Sequence, residues 1–195
     1  MSLQDAMWQD YFVLLLFTGL RKSEALSLRW TDVDLDAKTI LIRDTKNRQP
    51  HMLPLSDFLT DLFVRKGEQK TADFVFPGEN GGRAADPRLR SEEIVKKSGI
   101  TFTPHDLRRT FATVAESLDL SWKTVKSLLN PKMEDDVTAG YVVSDAERMR
   151  AAMQAITDKL KTHCGIDEPA KKAVAKAKPK NDSKVVNISS ARKAR

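Results

Sequence analysis

The chain is expected to fold as a mainly α protein with one small three-stranded antiparallel β-sheet, an α+β arrangement. Three observations support this. Apolar residues recur at helical spacing over 3–17 and again over 144–163. Between Trp30 and Leu55 the apolar period changes to two, as in strands. Capping residues then stand before the other long helical stretches: Ser56 or Asp57, Thr103 and Ser121.

In the first helix Leu3, Met7, Tyr11, Leu14 and Leu15 fall near one face, and Val13, Leu16 and Phe17 widen it. The stretch Thr18-Gly19-Leu20-Arg21-Lys22-Ser23-Glu24-Ala25-Leu26 closes that helix and opens the next. Gly19 permits the positive φ that a tight helix-to-helix link needs. Arg21 and Glu24, three apart, share one helical face. Arg21 at a helix start suits a phosphate ligand, and equally a surface arginine paired with Glu24. A second helix over 22–28 turns Ala25, Leu26 and Leu28 inward.

Val33, Leu35, Ile40 and Ile42 then alternate with polar residues, with a turn over 34–38. A polar turn over 44–50 leads to the third strand, His51-Met52-Leu53-Pro54-Leu55. Lys46 falls at or near the tip of this hairpin. A helix runs to about Lys66, followed by a loop, a short apolar run Phe74-Val75-Phe76-Pro77, and a loop over 78–87. The next helix, over 89–97, ends at Gly99.

Thr103 suits an N-cap, Pro104 the first helical position and Asp106 the third. His105 and Arg108 then share a face, and with open backbone N–H groups they can converge on one anion. Leu107, Phe111 and Val114 supply an adjacent apolar face. Ser121 caps a helix through Leu129, which Asn130-Pro131 breaks. Asp135 or Asp136 caps a short helix holding Tyr141. The last helix, over 144–163, lines up Ala146, Met149, Met153, Ile156 and Leu160.

Charge is unevenly placed. The chain of 195 residues carries 33 Lys or Arg and 27 Asp or Glu. Nine of those bases and three of those acids lie at 167–195, so the preceding body holds 24 of each. Residues 1–165 are expected to form one globular domain, and 166–195 a basic, disordered tail. A nucleic-acid role for the neutral body must rest on placed residues rather than bulk charge. The single cysteine, Cys164, allows no internal disulfide and fits a reducing, cytoplasmic compartment. No membrane span or signal peptide is visible in the sequence.

Arg21, Lys46, His105, Arg108 and Tyr141 are the polar residues without an evident core role. The four basic groups can surround a phosphodiester, and the tyrosine offers a hydroxyl nucleophile. There is no spacing for a metal site and no GxxxxGK[ST] loop, so no cofactor is expected.

These motifs, TGLRKSE with Arg21 and Glu24, TKN with Lys46, HDLR with His105 and Arg108, and VTAGYV with Tyr141, resemble the catalytic domain of the tyrosine recombinase (phage integrase) family. The likeness runs from about Leu3 to Leu160. It implies a site-specific DNA recombinase of a phage or mobile element, working in the cytoplasm of a bacterial host. Such an enzyme cleaves and rejoins double-stranded DNA through a 3′-phosphotyrosyl link, without metal or ATP. Tyr141 would be the nucleophile, Arg21 and Arg108 would stabilise the phosphate, Lys46 would protonate the leaving oxygen, and His105 would assist. Glu24 would support Arg21.

The sequence departs from the family at one place. Pro131 stands where the family has a second His or Trp, and a proline has no donor for a phosphate. Asn130 or Lys132 would have to substitute. The resemblance further implies a missing N-terminal DNA-clamping domain, a tetramer on DNA in the full-length protein, and a monomer for this domain alone. The helix and tail after Ser144 would then be the segments that dock on neighbours. Three rival readings are a DNA-binding module of this family that no longer cleaves, a type IB topoisomerase, and an all-α scaffold.

Overall fold

The structure, a computed structural model, describes residues 3–43, 50–129 and 142–166. It contains a mainly helical body around one small sheet. The first helix, α1 (Leu3–Thr18), is the centre of the core. Tyr11, Leu14, Leu15 and Phe17 are fully buried, and Trp8 and Phe12, outside the expected face, are buried too. The helix is apolar around most of its circumference because partners surround it. It packs against α2 (Lys22–Leu26), α3 (Asp57–Glu68), α5 (Pro104–Glu116) and α7 (Val142–His163).

The expected link between α1 and α2 forms as the sequence suggests. The Thr18 hydroxyl donates to the Leu14 carbonyl at 2.6 Å and accepts the Leu20 N–H at 3.3 Å. Gly19 has φ +66°, and its N–H closes onto the Leu15 carbonyl. The Tyr11 hydroxyl donates to the Lys22 carbonyl at 3.1 Å, which ties the two helices together. The second helix stops at Leu26, two residues earlier than expected, although Leu28 is still buried.

The sheet has the order β1 (Val33–Asp34), β2 (Thr39–Ile42), β3 (His51–Pro54), antiparallel throughout. Ile40 faces Leu53 and Ile42 faces His51, and Ile40, Ile42 and Leu53 enter the core. Leu41 and Met52 lie on the opposite face, where Met52 is exposed. Leu35, in phase with the strand residues, lies in the expected turn after β1 and is exposed. The run from Phe74 to Pro77 contributes two isolated bridges, Arg29 with Phe74 and Pro77 with Arg83, rather than a strand.

Ser56 caps α3, Gly99 ends α4 (Arg88–Ser98) at φ +72°, and Ser121 caps α6 (Trp122–Leu128). The last helix, α7, buries Ala152, Met153, Ile156 and Leu160 against α1, α5, α6 and β3, whereas Ala146 is exposed. This apolar face is therefore used within its own chain. The short helix expected around Tyr141, the residues Lys46, Asn130, Pro131 and Lys132, and the tail from 167 onward lie outside the described residues.

Gly19 is the point where these elements meet most tightly. A Cβ there would stand 2.7 Å from Leu129 Cδ2 and 2.8 Å from Phe111 Cδ1, in a backbone conformation that side chains disfavour. Gly19→Ala is expected to lower stability by ~1–3 kcal/mol, from backbone strain and overpacking together. A shifted urea midpoint with an unchanged slope would show it.

Candidate active site

Two arginines come together where α1, α2, α5 and α6 converge. Arg21 is the N-cap residue of α2. The Glu24 carboxylate accepts its backbone N–H at 2.8 Å and its guanidinium Nη1 at 2.7 Å. The Glu24 side chain is 1% exposed and that of Arg21 is 32% exposed. Arg21 is therefore paired with Glu24, and the pairing fixes a cation that still partly faces solvent.

Arg108 is held differently. Its Nη1 donates to the Gly19 carbonyl and its Nη2 to the Leu129 carbonyl, the latter at 2.7 Å. The guanidinium is half-buried. Burial, and then the Arg21 charge, lower its pKa from the ordinary arginine value, while Glu24 opposes the shift. Two carbonyls satisfy its N–H groups without cancelling its charge. The Glu24 carboxylate cancels one of the two arginine charges, so these three groups carry one net positive charge beside open solvent.

The N-terminus of α5 is closed as well as capped. The Thr103 hydroxyl accepts the Asp106 N–H, and the Asp106 carboxylate accepts the Thr103 N–H at 2.9 Å. Hydrogen bonds from Thr103 hold the Asp106 carboxyl below the usual carboxylate range. A carboxylate thus occupies the helix end where open N–H groups were expected to help bind an anion. That role falls to side chains, and His105 stands exposed in the first turn, three residues before Arg108.

His51 belongs to the site, although no motif pointed to it. It opens β3, and its Nε2 lies 3.3 Å from the Leu128 carbonyl. Burial lowers its pKa from 6.5. The bond to Leu128 and the Glu24 charge oppose this, and Arg108 adds to it. Strand alternation already placed His51 on the face of Leu53, which was the available signal.

The described residues thus bring Arg21, Glu24 and Arg108 together, with His105 one helical turn away. Lys46, Asn130, Lys132 and Tyr141 lie outside them. By sequence, Lys46 falls between β2 and β3, and Tyr141 immediately precedes α7.

The buried half of the Arg21–Glu24 pair predicts a stability cost. Glu24→Gln is expected to lose ~1–3 kcal/mol in chemical denaturation, the cost of a broken buried pair reduced because Arg21 is partly solvated. His51 predicts an acid limb. Its folded pKa lies below the unfolded value of 6.5, so its contribution is complete above pH 6.5 and is lost as pH falls through the folded value. The wild-type melting temperature is expected to fall over that window more than that of His51→Gln.

The chain is similar to known proteins in both sequence and fold. Prophage integrase IntF of Escherichia coli (strain K12) is 28% identical over 138 residues, which are 67% of this chain and 29% of that protein. Tyrosine recombinase XerA of Saccharolobus solfataricus is 35% identical over 126 residues, 61% of this chain and 40% of that protein. The integrase from mycobacterium phage Brujita matches in fold with a TM-score of 0.61 at 20% identity, over 80% of this chain and 53% of that one. The XerH site-specific recombinase bound to difH substrate, in a pre-cleavage complex, matches at 0.56 with 21% identity, over 86% of this chain and 48% of that one. The chain therefore spans between about a third and a half of the length of these proteins. With residues 3–148 matching the Phage integrase family, well over half of the sequence, the chain belongs to that family.

Proposed function

We propose that this chain is the catalytic domain of a site-specific DNA recombinase, breaking and rejoining double-stranded DNA through a phosphotyrosyl intermediate. The observation that carries this is that Arg21, paired with Glu24, and Arg108, held by the Gly19 and Leu129 carbonyls, are near enough for their charges to interact, with one net positive charge among them and Glu24. That charge complements a single phosphodiester. Preorganised donors of this kind stabilise the charge that develops on the non-bridging oxygens.

In the forward step the Tyr141 oxygen attacks the scissile phosphorus as its proton passes to solvent, with His105 assisting the transfer. The bond from phosphorus to the 5′-oxygen breaks, and Lys46 protonates that oxygen. A 5′-hydroxyl from another strand reverses these steps and releases the tyrosine, so no external energy source enters. Tyr141 is singled out by the state of Tyr11, the chain's other tyrosine. Tyr11 is fully buried, donates to a backbone carbonyl, and has its pKa raised by burial and by Asp86. It cannot meet a DNA strand.

Residues 1–165 would form the catalytic domain and 166–195 a basic tail. Assembly as a tetramer on DNA would belong to a longer protein, with this domain alone a monomer. Cytoplasmic action in a bacterial host is part of the same proposal. Pro131 supports a second reading, a DNA-binding module that no longer cleaves.

A nicked suicide substrate decides between them, because the cleaved end diffuses away and traps any adduct. The wild-type chain is expected to give a protease-sensitive band on a denaturing gel. Tyr141→Phe is expected to lose the band and Tyr11→Phe to keep it. Binding without an adduct, restored by Pro131→His, would favour the non-cleaving module.

A further inference from the structure

His51 has a place in the site that its motif-free sequence context does not advertise. Leu128, the last residue of α6, and Leu129, its C-cap, present successive carbonyls at the helix end. Each receives a side-chain nitrogen from a different part of the chain. Leu128 faces His51 Nε2 at 3.3 Å, and Leu129 accepts Arg108 Nη2 at 2.7 Å. The first contact comes from the sheet and the second from α5. The carbonyl that aims Arg108 thus has as its neighbour the carbonyl tied to β3, where His51 stands opposite Ile42 at the base of the β2–β3 hairpin.

We propose that His51 is a positioning residue for Arg108: it fastens the end of α6 to the sheet, so that the Leu129 carbonyl keeps the guanidinium aimed at a phosphodiester. This rests on the phosphoryl-transfer reading above. Neutral imidazole suits the task, since its Nε2–H donates to Leu128 and adds no charge. Among the described residues, the charged groups facing His51 are Glu24 from α2 and Arg108 from α5. A protonated His51 would repel Arg108 and would compete with Arg21 for Glu24. The contact is worth little as a hydrogen bond alone, about 1 kcal/mol. It matters because a misplacement of about 1 Å in a catalytic group can cost on the order of a hundredfold in rate.

The test uses the full chain and two suicide substrates, read as single-turnover rates of adduct formation. One carries an ordinary scissile phosphate. The other carries a methylphosphonate, in which a methyl group replaces one non-bridging oxygen and removes the charge that Arg108 serves. His51→Phe keeps the ring volume and loses the donor. It is expected to slow cleavage of the phosphate about tenfold and of the methylphosphonate by about twofold or less. Arg108→Ala is expected to show the same selectivity, and His51→Gln, which keeps a donor, to recover most of the rate. Below pH 6.5 the wild-type rate is expected to fall, and that of His51→Gln to stay level.

Equal slowing on both substrates, or no slowing on either, would overturn the proposal. So would an acid limb that persists unchanged in His51→Gln. If the wild type cleaves only the charged substrate, or His51→Phe does not fold, the acid limb of His51→Gln decides alone. If the wild type forms no adduct on either substrate, the cleavage reading itself falls and takes this one with it.

Discussion

The grip of two backbone carbonyls on the Arg108 guanidinium is the constraint from which the rest of the site follows. A half-buried cation needs its N–H groups bonded, and a carboxylate would do this at the cost of its charge. Carbonyls of Gly19 and Leu129 bond it and leave the charge in place. That solution makes demands on three segments. The α1–α2 link must turn so that a carbonyl points back at α5, which Gly19 achieves at φ +66°. Phe111 and Leu129 must pack against that same glycine, which leaves no room for a side chain. The sixth helix must end where its free carbonyls reach Arg108. Arg21, which is more exposed, is handled the opposite way, by pairing with buried Glu24. One arginine is neutralised and one is not, and the remainder matches one phosphodiester.

This local accounting matters because the body of the chain has no net charge to contribute. Many of its charged residues are already paired. Lys22 meets Asp86, Lys38 meets Asp57, Arg65 meets Asp10 and Arg43 meets Asp32. Most of these pairs are solvent-exposed and add little to stability, on the order of 0–1 kcal/mol each. They do cancel long-range fields. Attraction for an anion then depends on individual cations without a carboxylate partner, and among the residues of the site Arg108 is one, held by carbonyls alone. At physiological ionic strength such a field reaches about 8 Å, so the geometry of the site rather than the charge of the surface selects what binds.

The parts legible in the sequence were those set by neighbours along the chain. Thr103, Pro104 and Asp106 announced the start of α5, and the cap forms as the residues require. The same holds for the helix stop at Gly99, the positive φ at Gly19, and the alternation that put Ile40, Ile42 and Leu53 inside. What escaped was set by distant segments. Trp8 and Phe12 are buried because other parts of the chain cover a second side of α1, which its own periodicity could not foretell. Ala146 has the helical phase of the buried residues of α7 but lies in its first turns, beyond the buried part of the face. His51 carried only the face that strand alternation gave it, and the carbonyls of Gly19 and Leu129 carry no signature at all, since any residue has a carbonyl. The side chains proposed to do chemistry stand out by type and spacing, whereas the carbonyls that hold Arg108 do not.

The aiming also bears on the proposed nucleophile. Tyr141 lies in the stretch between the end of α6 and the first residue of α7, Val142. Both ends of that stretch are fixed to the same body. At one end Leu128 and Leu129 face His51 and Arg108. At the other, α7 buries Met153, Ile156 and Leu160 in the common core, in its own chain. A helix committed in this way cannot shift as a body without giving up burial worth about 1.5–3 kcal/mol for each large side chain. A contact with a second copy through this same face would forfeit that burial, whereas the Leu129 carbonyl at the other end keeps its bond to Arg108 only while the end of α6 stays in place.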